Sequence, residues 1–490
     1  MTARTPLLVD GFETVVGLEV HVQLLTRHKL FSPALVRIGQ PPNVDLDAVD
    51  AGLPGALPIL NRDAVRCAIR LGLALQSTVA RQSFFARKHY FYPDSPKGFQ
   101  TSQADHPIIE GGQVTFVVDD ATGAEHSIAL VRAHLEEDAG KSLHDDGGTR
   151  LDFNRAGTAL LEVVSTPTMH SGEDAMRFFR ALRSVVMAIG ICDGNLQEGS
   201  MRADANVSVR RPGEPLGTRV ELKNINSPRF VCDAVEHEAA RQRRLIGRGD
   251  VVVQETRLWD GDARASRSMR SKEDSPDYRY LPDPDLPPIV VSDHDIAVET
   301  ASMPELPDAI RRRFIAQFGL PPPQAAVIVD DGDFARLFDA ACTLAPGHER
   351  AIANWLVNEL AGVSETATAT TSPAALARLV TLVETGELAG RDGKTLVRTI
   401  VDEGLISAAA VDAVVDARGL RLAKGQDAED AVRAIIATVF AQNPVQVEQV
   451  RAGKDKVKGF LVGQVLKAAG KGVDPKLAQR LVDIALTDGA

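Results

Sequence analysis

Val16-Gly17-Leu18-Glu19-Val20-His21-Val22-Gln23-Leu24 alternates apolar and polar residues without a break. A period of two is what a half-buried β-strand requires. Leu18, Val20, Val22 and Leu24 share one face and can enter a core. Glu19, His21 and Gln23 share the other, about 7 Å apart from one to the next. A carboxylate and an imidazole lined up on one strand face suit a divalent metal; an incidental histidine on a solvated face is the bland alternative.

The pattern recurs along the chain. In a strand predicted over 128–138, Arg132, His134 and Glu136 alternate with Val131, Ala133, Leu135 and Glu137. Asp204, Asn206 and Ser208 alternate with Ala205, Val207 and Val209, and Arg219, Glu221 and Lys223 with Val220 and Leu222. Strands of this character predict an antiparallel or mixed sheet, with a core under one face and a shared polar cradle on the other.

Other residues point into that cradle. The consecutive acids Glu136, Glu137 and Asp138 hold their charge best beside a cation, either Lys141 or a metal. Glu162 interrupts the apolar run Ala159-Leu160-Leu161-Glu162-Val163-Val164, a costly position unless the carboxylate is paired or metal-bound. The segment Arg87 to Gln103 is rich in basic and aromatic residues and broken by Pro93 and Pro96, so it is no regular helix. It reads as a rigid loop that presents Lys88 and Lys97 to an anion. Acids (Glu19, Glu137, Glu162, Asp204, Glu221) and bases (Lys88, Arg132, Arg202, Lys223) on one face suit Mg²⁺ bridging nucleotide phosphates. Gly393-Lys394-Thr395 is not a phosphate loop, because Leu388 stands where its first glycine belongs.

A length of 490 residues predicts two to four domains. The proline-punctuated stretch Asp277 to Pro288 should close the first near residue 295. Helical patterns follow, including one around Asn354-Trp355-Leu356 and one starting at Pro304-Glu305-Leu306-Pro307. Ser364 to Ala374 reads as a flexible connection, and 406–490 as a tail of short helices. No apolar run spans a bilayer, no secretory or transit pattern opens the chain, and the four cysteines stand far apart. A cytoplasmic protein with no membrane partner is expected. The net charge of −11 counts against nucleic acid. From Asn443 onward, however, eight basic residues face five acidic ones, with Lys454, Lys456 and Lys458 close enough together to meet a phosphate backbone.

Taken together, the motifs resemble the B subunit of the tRNA-dependent amidotransferase (the GatCAB family). The matching segments are Gly17 to Leu24, Arg87 to Asp94, His134 to Lys141, Asp152 to Arg155, Ser200 to Ser208, Glu221 to Ser227, Asp277 to Tyr280 and Gly459 to Val465. They run in order over nearly the whole chain. Two departures stand out: Ala159 replaces a usual proline, and Ser275-Pro276 a more acidic pair.

The resemblance implies an α/β (α+β) cradle domain over 1–295, similar to the glutamine synthetase/guanidino kinase fold. An all-α helical domain over 296–405 and a tRNA-binding helical tail over 406–490 would follow. It implies ATP- and Mg²⁺-dependent phosphorylation of the side-chain carboxylate of misacylated Glu-tRNA(Gln) and/or Asp-tRNA(Asn). Ammonia from the family's amidase, its A component, would then form the amide, with a small C component completing a heterotrimer. By motif position, Glu19, His21, Glu137 and Glu162 are expected as metal ligands, with Glu136 and Asp138 able to trade roles with Glu137. Lys88, Arg132 and Lys223 are expected to act on phosphates or the transferring group. Arg202, Asp204, Asn206 and Asn224 are expected to bind substrate or nucleotide, and Lys454, Lys456 and Lys458 to bind tRNA.

Overall fold

Strand β1 (Glu13–Gln23) follows the predicted alternation: Leu18, Val20 and Val22 are buried, while Glu19, His21 and Gln23 keep part of their surface. The computed structural model describes residues 7–103, 105–145, 147–271, 278–364, 367–422, 426–451, 457–469, 473 and 475–487. The chain divides into two units, Met1–Ile310 and Arg311–Ala490.

After β1 come α1 (Arg62–Ala74) and five short strands, β2 (Thr78–Val79), β3 (Gln82–Ser83), β4 (Ala86–His89), β5 (Phe99–Ser102) and β6 (Ile109–Glu110). Next are β7 (Gln113–Asp119), β8 (Ala124–Glu137), β9 (Lys141–Asp145), β10 (Gly148–Asp152) and β11 (Ala159–Ser165). Helix α2 (Gly172–Ala188) leads to β12 (Met201–Arg210) and β13 (Val220–Ile225), and α3 (Pro228–Gly247) leads to β14 (Glu255–Asp260) and β15 (Ala265–Ser271). Strands β16 (Leu281–Pro282) and β17 (Ile289–Val290) and helix α4 (Asp293–Ala301) complete the unit.

The main sheet has ten strands in the order β15-β14-β13-β12-β1-β11-β8-β6-β2, with β7 on β8. It is mixed, since β13 and β14 are parallel while β1 runs antiparallel to both its neighbours. Its apolar face packs with α1, α2 and α3: Ile69, Phe178, Phe179, Leu182, Val231 and Val235 join Leu18, Val20, Val163 and Val207 in one core. Ser171 caps α2 by accepting from the Asp174 amide, and Asn61 caps α1 by accepting from the Asp63 amide. Gly172 permits close packing on α3, for a Cβ there would lie 2.5 Å from the Cys232 carbonyl oxygen. With helices on one face, the other is left to the polar residues.

The second unit is helical. Helix α5 (Pro307–Phe318) starts where the proline motif places it and crosses the boundary between the units. It is followed by α6 (Pro322–Asp330), α7 (Gly332–Leu344) and α8 (Glu349–Trp355). The helix expected around Trp355 continues as a π-helical turn, Leu356–Leu360, rather than as α-helix. The stretch 364–374, read as a flexible connection, holds the turn α9 (Ala367–Thr370), whose Ala367 and Thr368 are buried; Thr371 also donates to the Ala367 carbonyl at 2.6 Å. Then come α10 (Pro373–Glu384), α11 (Gly390–Asp402) and α12 (Ala408–Ala417). Arg378 pairs with Asp412 at 2.8 Å, joining α10 to α12. Helices α13 (Gln426–Gln442), α14 (Pro444–Arg451), α15 (Lys458–Ala469) and α16 (Pro475–Thr487) close a core of their own around Val432, Ile436, Leu461, Val465 and Leu481. Among the described residues no helix is long and apolar enough to cross a membrane.

Candidate functional site

Strand register builds the site in rows. Residues directly opposite in antiparallel strands share a face. The first row is Arg202 on β12, His21 on β1, Glu162 on β11 and His134 on β8. The next is Asp204, Glu19, Val164 and Arg132 on the same four strands. Glu136 stands one step beyond the first row, opposite Leu160.

His21 Nε2 lies 3.4 Å from Glu136 Oε1 and 3.3 Å from Glu162 Oε2, and His134 Nε2 lies 3.8 Å from each of the same two carboxylates. Among the described residues, His21, Glu136 and Glu162 form the group whose ligand atoms all fall within 4.8 Å of one another. Burial pushes the Glu162 carboxyl up, but the His21 hydrogen bond and the His134 and Lys88 charges hold it well below the usual carboxylate range. Burial and Arg202 push the His21 imidazole down, yet Glu162 and Glu136 leave it above its ordinary value. The two acids of the cluster thus favour the protonated form of His21.

The third member of this group is Glu136, where Glu137 was expected. Consecutive residues on a strand point to opposite faces, so Glu136 and Glu137 cannot both meet His21. Glu137 turns away, where its carboxylate accepts from the Thr101 amide at 2.8 Å and pairs with Lys97. Lys97 therefore neutralises an acid instead of presenting itself to an anion. The third acid of the run, Asp138, is held by Arg202 at 3.2 Å and Arg155 at 3.4 Å, which keep its carboxyl low despite burial. Those partners, not Lys141 on β9, are the cations beside the run.

On the other flank, Lys223 bridges Asp204 at 2.7 Å and Glu221 at 3.0 Å, and its ammonium is held above its ordinary value against burial. A register shift between β12 and β13 and the left-handed backbone of Asn224 (φ 70°) fall beside it, and Asn224 donates to the Trp259 carbonyl at 3.3 Å. Asn206 donates to Glu19 at 2.9 Å. Burial raises the Glu19 carboxyl, and Glu162 and Glu221 add to the shift. Lys88, on β4, lies 4.7 Å over the Tyr278 ring.

Four buried polar atoms in this region have no hydrogen-bond partner among the described residues: His21 Nδ1, His134 Nδ1, Asn206 Oδ1 and Arg132 Nε. Such orphans are rare in a folded chain.

Lys454 and Lys456 lie outside the described residues. Lys458 begins α15 and pairs with Asp483 at 2.5 Å.

Sequence reasoning left four lining residues without a role. His134 and Arg219 carried the same alternation signal as their neighbours. Tyr278 and Tyr280 arrive through the pairing of β16 with β4, a long-range contact with no local signature.

A sheet-borne cradle of clustered carboxylates, histidines and cations is the catalytic domain of an enzyme that handles anionic substrates. Residues 14–297 match the GatB/GatE catalytic domain and residues 336–486 the GatB domain, so the chain belongs to the GatB family. It is 45% identical to the B subunit of the aspartyl/glutamyl-tRNA(Asn/Gln) amidotransferase of Paraburkholderia xenovorans, over 97% of this chain and 99% of that relative. Identity to the protein of the same name from Anaeromyxobacter dehalogenans is 46%, over 98% of this chain and 100% of the relative. The Halorhodospira halophila protein of that name is also 46% identical, over 96% and 98%.

Proposed function

We propose that this chain activates and amidates the side-chain carboxylate of a misacylated tRNA, Glu-tRNA(Gln) and/or Asp-tRNA(Asn), using ATP. A carboxylate gives ammonia no leaving group. Transfer of the γ-phosphoryl group to a carboxylate oxygen expels ADP and supplies one. Ammonia then attacks the acyl carbon, phosphate departs, and the nitrogen loses a proton as the amide forms. The ammonia comes from the amidase partner, the A component, with the small C component completing the heterotrimer. The cradle is of the glutamine synthetase/guanidino kinase type, and the chain is organised as 1–295, 296–405 and a tail over 406–490 whose helices α13 to α16 contact tRNA.

The observation that carries the reading is the His21, Glu136 and Glu162 group, with its orphaned imidazole nitrogen. Two carboxylates beside an imidazole fit a divalent cation, which would displace the proton from His21. His21, Glu136 and Glu162 would hold Mg²⁺, which would supply positive charge to offset the negative charge of the phosphoryl group in transfer. Glu19, one row away, would support that ion rather than crowd it. Arg132 and Lys88 grip phosphate oxygens, Lys223 orients the substrate between Asp204 and Glu221, and Arg202 is held by Asp138 for the acyl group. Asn206 and Asn224 offer amides to polar substrate atoms.

Glu136→Gln and Glu162→Gln are the direct tests, made in the assembled complex. Each should lower charged-tRNA-dependent ADP release about 100-fold while tRNA binding persists. Wild-type turnover in both would remove the cluster from the chemistry.

A further inference from the structure

Three cations of the cradle are spent on carboxylates. Lys223 is bound to Asp204 and Glu221, and Arg202 to Asp138. Lys97 lies 5.0 Å over the Phe99 ring but still gives a donor to Glu137. Lys88 is held differently. It feels Glu136 and Glu162, yet among the described residues it forms neither an ion pair nor a hydrogen bond. Its ammonium rests 4.7 Å over the ring of Tyr278. An aromatic face attracts a cation through its quadrupole and offers no oxygen acceptor, so the N–H groups of the lysine stay available.

The strand that carries Lys88 also fixes that ring. Along β4, Lys88 borders the cradle cavity, while its neighbours Arg87 and His89 hold residues 278–285 against the strand. The His89 amide donates to the Tyr278 carbonyl and His89 Nδ1 to the Arg279 carbonyl, each at 2.8 Å. Arg87 pairs with Asp283 at 3.1 Å and Asp285 at 2.6 Å. Arg279, between the two tyrosines, has a left-handed backbone (φ 40°), which a residue with a side chain keeps only where its surroundings hold it. Tyr280 then packs against the Tyr278 ring, with centroids 6.3 Å and planes 67° apart.

We propose that Tyr278 is a positioning residue for Lys88: its ring face holds the ammonium beside the His21, Glu136 and Glu162 cluster with the N–H donors free for the oxygens of the phosphoryl group in transfer. The ring does the holding, and the hydroxyl takes no part. A carboxylate in its place would add a negative charge next to the phosphate, and a ring adds none. This rests on the activation reading above and adds how its lysine is kept ready.

A double-mutant cycle on ADP release by the assembled complex, with charged tRNA, Mg²⁺ and ammonium present, tests it. Lys88→Ala should lower kcat/KM for ATP about 100-fold and Tyr278→Leu about tenfold. Tyr278→Phe keeps the ring face and should stay within about twofold of wild type. In the Lys88→Ala background, Tyr278→Leu should cost less than about twofold more, because no ammonium is left to hold. A damaged fold would instead lower both backgrounds alike, so a further loss of about tenfold there would overturn the proposal. Equal losses in Tyr278→Phe and Tyr278→Leu would give the role to the hydroxyl and overturn it too, as would wild-type rates in Tyr278→Leu or in Lys88→Ala. A wild-type complex without charged-tRNA-dependent ADP release would defeat the activation reading itself, an outcome distinct from any of these.

Discussion

Glu136 and Glu137 are neighbours in sequence with opposite fates. Glu136 joins His21 and Glu162 in one cluster, while Glu137 is bound by Lys97 and the Thr101 amide. In ADP-release assays titrated with Mg²⁺, Glu136→Gln should cost about 100-fold and shift the Mg²⁺ requirement upward. Glu137→Gln should cost less than tenfold and leave that requirement unchanged. Equal losses would mean that Glu137 reaches the ion. The alternation in Arg132 to Glu137 already put Glu136 on the His21 face, and the motif alone suggested Glu137. Local periodicity was the better guide here because pleating obliges neighbours to diverge. What periodicity could not reveal is which cations are spent inside the protein. Lys97 and Arg202 look like Lys88 and Arg132 in a sequence, and only tertiary pairing separates them.

At the scale of elements, caps and alternation were legible, since each is a contact within a few residues. The strands β1, β8, β12 and β13 fall where their patterns put them, and Asn61 and Ser171 are cap-forming residue types at helix starts. The π-helical turn after Trp355 was not, because its surroundings are tertiary: Gly393 of α11 sits against the Trp355 ring, where a Cβ would lie 2.8 Å from the indole. Two joints can be tested. Gly172→Ala would drive a methyl into the Cys232 carbonyl, and thermal unfolding should show a loss of about 1–3 kcal/mol. Glu299 of α4 is buried against Arg66 at 2.7 Å and Arg70 at 3.2 Å of α1. Burial raises its carboxyl, but the two guanidinium groups outweigh this and bring it below its ordinary 4.5. A depressed carboxylate stabilises the fold above its unfolded pKa, and that stability is lost as pH falls through the folded value. Glu299→Ala should therefore cost about 1–3 kcal/mol at pH 7, and the difference from wild type should shrink below about pH 4.5. A pH-independent difference would assign the loss to packing alone.

At the scale of the whole molecule, the sheet and its cradle were legible while the divisions of the helical half were less so. Arg378–Asp412 and the bond from Ser372 to the Ile406 carbonyl, 2.7 Å, knit α12 to α10 across the boundary suggested at residue 406. A truncation meant to remove the tail should therefore begin at residue 426, before the core that α13 to α16 close for themselves. Deleting 426–490 should raise the apparent KM for tRNA and flatten its salt dependence, because fewer lysines would displace counterions. An unchanged KM and salt slope would take these helices out of tRNA recognition. The claim on which everything else depends is that the cradle phosphorylates a carboxylate carried on tRNA. ADP release by this chain, assembled with its amidase and small partners in the presence of Mg²⁺ and ammonium, measures it directly. Stimulation by Glu-tRNA(Gln) or Asp-tRNA(Asn), and none by the same tRNA uncharged, is the predicted result. Equal rates with charged and uncharged tRNA would contradict it.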